Sequence, residues 1–143
     1  PTQTPTQTPT QTPTETPSGG TTKVFSAWSF VSGNNNYFGD STSGAIYGWA
    51  TGFSGTTIIT GTLVVTGGSE NISVCAAPAG TSALVSVTCD LVPTSGTSYS
   101  FSASKSTAGS PSCDNQVVGP GTYTVTLRGV FGTNSAGQSV YIN

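Results

Sequence analysis

The sequence predicts an all-β protein, a two-sheet sandwich of about eight short strands preceded by an extended stalk. From Thr21 onward, Ser and Thr alternate with apolar residues at a period of two, which is typical of half-buried strands. Clusters of Gly, Pro and Asn separate the alternating stretches and mark turns. No stretch has the 3.6-residue apolar period that a helix of two turns would need.

The N-terminal segment is a low-complexity repeat. Residues 1–17 repeat the tetrapeptide P-T-Q-T, with Glu15 replacing Gln in the fourth copy. The repeat has no aliphatic or aromatic side chain, so it cannot bury enough apolar surface to offset the entropy of joining a core. We therefore expect an extended stalk, polyproline II or β-like, over residues 1–20 with a hinge at Gly19-Gly20, followed by one head domain over residues 21–143. Because the chain begins in mid-repeat and without Met, further repeats are expected upstream.

Eight strands are predicted in the head. They are Lys23–Val31, Ala45–Phe53, Thr57–Thr66, Asn71–Ala76, Leu84–Val92, Ser98–Lys105, Thr122–Phe131 and Gln138–Ile142. The turn signals that separate them are residues 33–36, 67–68, 78–80, 93–96, 119–121 and 132–137.

The seventh of these strands carries a resemblance. Residues 121–127 read GTYTVTL and resemble the G-x-Y-x-V-x-L strand near the C-terminus of immunoglobulin-like and polycystic-kidney-disease-type modules. The resemblance implies an immunoglobulin-like sandwich in which Tyr123 forms a tyrosine corner. It covers about the last quarter of the chain and implies a fold, since such sandwiches have many unrelated roles.

Three cysteines are available for one disulfide. Alternation places Cys89 on the core face of its strand and Cys75 on the outer face, so a bridge between these two is disfavoured. Cys113 lies in the predicted loop Gly109–Asn115, whose backbone could adapt to either partner. We expect Cys89–Cys113, with Cys75–Cys113 as the alternative. The third cysteine would be a buried thiol or an intermolecular link.

Two features favour an extracellular or cell-surface location. A disulfide is typical of an oxidising compartment. Asn71-Ile72-Ser73 is an N-glycosylation sequon, and alternation turns Asn71 outward while Ile72 and Val74 face the core. We therefore expect a glycan on Asn71 to meet solvent.

Composition excludes several classes of function. Charged side chains are 6% of the residues, against about 25% in an ordinary soluble protein, and three Lys and Arg cannot neutralise a nucleic-acid backbone. No stretch approaches the roughly 20 apolar residues of a membrane span. The chain has no His, which excludes Ser-His-Asp and Cys-His triads and the usual zinc sites. We expect no enzymatic activity and no cofactor.

The carboxylates of the head are interpreted as structural. Asp40 and Asp114 fall in predicted loops, Glu70 precedes a strand, and Asp90 points outward on one, so no pair is placed for acid and base catalysis. Asp40 with Asn34–Asn36 could supply oxygen ligands to Ca²⁺. A turn capped by the Asn side chains is the preferred interpretation.

Aromatic residues offer a possible sugar-binding surface. Tyr47 and Trp49 share one face of a predicted strand and could stack on sugar rings. The preferred alternative is that Trp28, Phe30 and Trp49 are the main core aromatics of a small sandwich.

The stalk presents its hydroxyl groups densely. In an extended strand all Thr side chains lie on one face, and in polyproline II they spread around the axis. Pro/Thr-rich tracts are the usual composition of O-glycosylated stalks. The predicted O-glycosylation sites are Thr2, Thr4, Thr6, Thr8, Thr10, Thr12, Thr14 and Thr16.

Residues 1–17 also resemble the glycan-coated extracellular fibrils of fresh water, in which tetrapeptide repeats form a linear core. In that family repeat prolines are hydroxylated and glycosylated, and repeat Ser or Thr carry O-glycans. The resemblance implies these modifications at Pro5, Pro9 and Pro13. The only non-protein groups expected are covalent glycans.

These observations predict a structural component of an extracellular glycosylated filament. Its stalk carries O-glycans, and its head caps or joins chains by self-association with other copies through the head or the stalk. One alternative is a carbohydrate-binding module on the Pro/Thr linker of a secreted glycanase. Another is a pilus- or adhesin-like subunit, although the stalk lacks the alternating apolar residues with which a donor strand fills a groove.

Overall fold

The computed structural model describes residues 20–33, 44–48, 53–78, 81–134 and 138–143, which contain nine strands and no helix. The strands are Thr22–Ser32 (β1), Ala45–Gly48 (β2), Phe53–Thr66 (β3), Glu70–Ala77 (β4), Thr81–Pro93 (β5), Tyr99–Thr107 (β6), Ser112–Val118 (β7), Gly121–Asn134 (β8) and Gln138–Ile142 (β9).

The strands form two antiparallel sheets. The five-stranded sheet has the order β1-β3-β8-β5-β6 and the four-stranded sheet has the order β2-β9-β4-β7. Every described pairing is antiparallel. This confirms the predicted all-β, two-sheet class.

Two strand predictions were wrong. Ala45–Phe53 was predicted as one strand, but β2 ends at Gly48 and Phe53 already belongs to β3. The second error is at β7, whose first four residues were predicted to lie in the loop Gly109–Asn115. Its sequence, SCDNQVV, has too few apolar residues to show the alternation of a half-buried strand. Its partner β4 alternates strongly and supplies most of the apolar surface of this pair.

The core lies between the sheets and is built from the alternate, inward residues of each strand. In β5, for example, Val85, Val87, Cys89 and Leu91 are each at most 1% exposed. The complete buried cluster is Trp28, Ile46, Ile59, Leu63, Val65, Ile72, Val74, Ala76, Val85, Val87, Cys89, Leu91, Phe101, Ala103, Val118, Tyr123, Val125, Leu127, Phe131, Val140 and Ile142.

A backbone irregularity in β1 turns Trp28 into this core. Ala27 has a φ of 56°, in the left-handed region that L-residues rarely adopt, and the β1–β3 register shifts between Ser26 and Ser29. Beyond the bulge Trp28 is 5% exposed, whereas Phe30 is 37% exposed. Trp28 is a core aromatic as predicted, and the same prediction for Phe30 was wrong. Trp49 lies outside the described residues.

Trp28 sits between two glycines of opposite sheets. A Cβ added to Gly61 on β3 would lie 2.6 Å from Trp28 Cε3, and one added to Gly44, next to β2, would lie 2.3 Å from Trp28 Cζ2. Both distances are well inside van der Waals contact. The absence of side chains at these two positions therefore makes the slot for the indole ring.

One side of the sandwich is closed by side chains of β7. Asp114 Oδ2 accepts a hydrogen bond from the Ser102 backbone N–H at 3.0 Å, and Gln116 Nε2 donates to the Ser100 carbonyl at 2.6 Å. Both backbone groups belong to β6, the edge strand of the five-stranded sheet. Two hydrogen-bonding groups that this edge strand would leave open, the Ser102 N–H and the Ser100 C=O, are thus satisfied by side chains.

A tyrosine hydroxyl ties the start of β8 to the preceding turn. Tyr123 Oη donates to the Gly119 carbonyl at 2.9 Å, and the Gly119 N–H donates to Tyr99 Oη at 3.2 Å. Burial, followed by the proximity of Tyr99, raises the pKa of Tyr123. The hydroxyl bonds to the backbone four residues upstream, as in a tyrosine corner.

Candidate interaction surfaces

The outer face of the five-stranded sheet is covered with hydroxyl side chains. Cross-strand register places Ser26, Thr62 and Thr124 in one row and Thr60 and Thr126 in the next. The hydroxyl face, as we call it, consists of Thr22, Ser26, Thr56, Thr60, Thr62, Thr66, Ser86, Thr88, Ser100, Ser102, Ser104, Thr122, Thr124 and Thr126. Its hydroxyls repeat at about 4.8 Å between strands and about 6.8 Å along a strand.

Several hydroxyl-face side chains form hydrogen bonds within the protein. Thr22 Oγ1 and Thr66 Oγ1 are 2.7 Å apart, and Thr60 Oγ1 donates to the Val125 carbonyl at 2.8 Å. Charge on this face comes from Asp90 and Arg128, which lie in adjacent rows. The surface thus has few charges and combines hydroxyl groups with aliphatic side chains, of which Val24, Leu84 and Val92 are more than half exposed.

The outer face of the four-stranded sheet carries two tyrosines. Ala45 pairs with Tyr141 and Tyr47 pairs with Ser139, so Tyr47 and Tyr141 are diagonal neighbours on one face. Both side chains are partly exposed. Tyr47 is where the aromatic hypothesis placed it, Trp49 is outside the described residues, and Tyr141 was missed.

The disulfide joins Cys75 to Cys113, so the predicted Cys89–Cys113 bridge was wrong and the alternative pairing is the one formed. The reason is the additional strand β7, which places Cys113 directly opposite Cys75 on β4 with 4.1 Å between their Cα atoms. Cys75 is on the outer face as predicted. It is nevertheless 2% exposed, because Cys113 and Tyr141 flank it on the neighbouring strands.

Cys89 is a buried free thiol. It projects into the core from β5, where its cross-strand neighbours are Phe101 and Leu127. Burial, and secondarily the charge of Asp90, raise the pKa of Cys89 to about 12. A thiol in this state has little nucleophilic character, so Cys89 is a core residue.

Asn71 of the sequon is exposed, while Ile72 and Val74 are fully buried, as alternation predicted. Its side chain shares the outer face of the four-stranded sheet with Val117, its partner on β7, which is 66% exposed. A glycan at this position would have open space. Whether Asn71 carries one stays a prediction.

Two of the described carboxylates, Asp90 and Asp114, form structural hydrogen bonds. Ser100 Oγ donates to Asp90 Oδ1 at 2.7 Å on the hydroxyl face, and Asp114 binds the β6 edge. Asp114 is therefore in a strand and not in the predicted loop, and Glu70 is the first residue of β4. Within the described ranges, no three His, Cys, Asp or Glu residues are grouped as metal ligands would be.

The stalk sites, namely the eight Thr and Pro5, Pro9 and Pro13, lie outside the described residues, as do Asp40 and residues 34–36. Among the described parts of the chain, no helix is long and apolar enough to cross a membrane. In comparisons with protein-family models and with curated proteins, no family model and no curated protein matches this chain.

Proposed function

We propose that this chain is a structural component of an extracellular glycosylated filament. The repeat carries O-glycans, and the head caps chains or joins them. The observation that carries the proposal is the hydroxyl face, a five-stranded surface with two charged side chains, on a head that follows directly from a Pro/Thr repeat.

The chemistry of this face suits contact between identical or sugar-coated molecules. Ser and Thr hydroxyls both donate and accept hydrogen bonds, so they can pair with hydroxyls of another head or of a glycan. Because so few charges are present, two such faces can meet without strong repulsion or costly desolvation of ions. The Cys75–Cys113 disulfide supports an oxidising location.

We also propose that the head is immunoglobulin-like, without catalytic activity and without a cofactor. The support for this fold is the pair of packed antiparallel sheets together with the hydroxyl bond from Tyr123 to Gly119. The contacts of Asp90 and Asp114 support structural roles for both carboxylates.

Two measurements test the filament role. The intact mass of natively purified protein should exceed the 14.3 kDa of the sequence, since the repeat is expected to carry glycans and hydroxyproline. The full chain should self-associate, and association should persist at high salt because it does not depend on ion pairs. An unmodified mass together with a monomer at all concentrations contradicts the proposal.

A matched pair of variants locates the contact. Thr124→Lys places a charge on the hydroxyl face and should weaken association. Val117→Lys places the same charge on the other sheet, at a residue that is 66% exposed, and should not. Equal effects of the two variants would argue against the hydroxyl face.

A second candidate function, a carbohydrate-binding module, is favoured by the neighbouring Tyr47 and Tyr141. Two partly exposed aromatic rings on one face of a sheet can stack on sugar rings. Titration of the full chain with cellulose or chitin oligosaccharides tests this. Binding by a monomer that is lost in Tyr47→Ala and Tyr141→Ala, both folded, would replace the filament role with this one.

A further inference from the structure

The five-stranded sheet has one long edge that no described strand covers. Its order starts with β1, whose only described strand partner is β3. On the opposite edge, β6, Asp114 and Gln116 bind two of the outward backbone groups. An unpaired edge is a template for one more strand.

The register shows which backbone groups of β1 are open. The Thr94 N–H donates to the Thr122 carbonyl, so the even-numbered residues of β8 bond to β5 and the odd-numbered ones bond to β3. In β3, odd residues therefore face β8, and even residues such as Val64 face β1. Val64 pairs with Val24, so even residues of β1 bond to β3 and odd residues point their N–H and C=O groups outward.

The β6 edge provides an independent check on this alternation. The same reasoning, carried from β8 through β5, assigns the even residues of β6 to its open edge. Ser100 and Ser102 are even, and theirs are the groups that Gln116 and Asp114 bind. The open groups of β1 before its bulge are accordingly those of Thr21, Lys23 and Phe25.

The stalk sequence has the matching alternation. Every Pro falls on an odd number, so in an extended strand all missing N–H groups lie on one edge. The even residues, all Thr up to Thr16 and then Ser18, keep a complete set of donors and acceptors on the other edge. Proline is tolerated in an edge strand when its nitrogen faces solvent. Adding an edge strand to a sheet requires backbone hydrogen bonds only. It does not require the apolar side chains with which a donor strand fills a groove.

The connection between the two segments has hairpin chemistry. Gly19-Gly20 is a two-residue sequence of the kind that closes tight β-hairpins. A two-residue loop makes Ser18 and Thr21 a hydrogen-bonded pair, and the next such pairs are then Thr16 with Lys23 and Thr14 with Phe25. The even-numbered stalk residues, which keep all their N–H and C=O groups, therefore pair with the odd-numbered β1 residues, whose N–H and C=O groups point outward.

We propose that residues 13–18 of the same chain add to β1 as a sixth, antiparallel strand of the five-stranded sheet. The strand ends near Pro13, because the bulge at Ala27 interrupts the β1 ladder there. Earlier repeats leave the sheet from that point. The Pro side of the added strand then forms the new edge and cannot accept a further strand through a full ladder.

The test is residue-resolved amide hydrogen exchange by NMR on the full chain with an unmodified repeat. The Lys23 and Phe25 amides should be protected at least about tenfold over exposed amides. Thr16→Pro removes a donor from the paired edge and should abolish that protection. Glu15→Pro adds a proline on the outer edge, is the matched control, and should retain it. Amides of β5 and β8 report that both variants are folded.

Sedimentation at several concentrations identifies the source of the strand. Protection of Lys23 and Phe25 in a monomer supports pairing within one chain. Protection that appears only in a dimer assigns the strand to a neighbouring copy and overturns the proposal. Unprotected Lys23 and Phe25, or equal protection in both proline variants, also overturns it. None of these outcomes depends on filament formation or on glycosylation.

Discussion

The glycine slot around Trp28 makes a sharp prediction for Gly61→Ala. The substitution adds one methyl group to β3 at a point where the indole ring already touches the backbone. In most strands this change is mildly favourable, because replacing glycine by alanine in a strand stabilises by about 0.5–1 kcal/mol. Here we expect the opposite sign.

The magnitude follows from the distances. The new Cβ would lie 2.6 Å from Trp28 Cε3 and 2.7 Å from Cδ2, about 1 Å inside the optimal carbon–carbon separation. The ring cannot retreat, since Gly44 closes the other side of the slot. Overpacking typically costs about 1–3 kcal/mol. After the intrinsic gain, the free energy of unfolding should fall by about 1–2 kcal/mol, which raises the unfolded fraction about 5- to 30-fold.

Urea unfolding followed by far-UV circular dichroism measures this loss. Gly119→Ala is the control, because its added Cβ would lie 3.7 Å from Tyr99 Oη, an ordinary contact. Trp28→Leu should remove the clash, so Gly61→Ala should cost little in that background. The reasoning is refuted if Gly61→Ala is as stable as the control, or if its cost is unchanged beside Trp28→Leu.

Three further predictions concern stability. Because the pKa of Cys89 rises from 9.0 to about 12 on folding, the folded protein keeps a proton that the unfolded chain loses. The free energy of unfolding should thus be level below the lower value and fall by about 2 kcal/mol by about pH 10.5, and this part of the fall should vanish in Cys89→Ala. Replacing Cys75 and Cys113 together by Ala opens a cross-link between residues 38 apart and should cost about 4 kcal/mol in urea unfolding, whereas a loss below about 1 kcal/mol would contradict the chain-entropy reasoning. Tyr123→Phe removes the bond to Gly119 and should cost about 1–2 kcal/mol by calorimetry, so an unchanged melting temperature would show that this bond contributes nothing.

Strands that bury one face in the core were visible in the sequence, and β7 was not. β8 alternates Tyr123, Val125 and Leu127 with polar residues, and it was placed within a few residues of its ends. Of the inward positions of β7, Val118 is buried in the core, but Asp114 and Gln116 bind a strand edge. Alternation reports apolar burial, so a strand whose inward contacts are hydrogen bonds gives no such signal.

The disulfide and the tyrosine pair depended on register, which a single sequence does not encode. Cys113 could be assigned to Cys75 only once β7 was known to pair with β4. Tyr141 became a neighbour of Tyr47 only through the β2–β9 pairing. The bulge that turns Trp28 into the core had no sequence signal either, because its left-handed residue is an alanine.

The hydrogen bonds of Asp114 and Gln116 to β6 limit the addition of further strands to the five-stranded sheet. Polymerisation by edge-to-edge pairing of sheets needs two open edges on each molecule, because each molecule must pair with one neighbour on either side. Because side chains of β7 bind the backbone of Ser100 and Ser102 on β6, a strand that added to this edge would have to displace them, which disfavours growth of the five-stranded sheet on that side. The same side-chain contacts make this edge a poor starting point for cross-β aggregation.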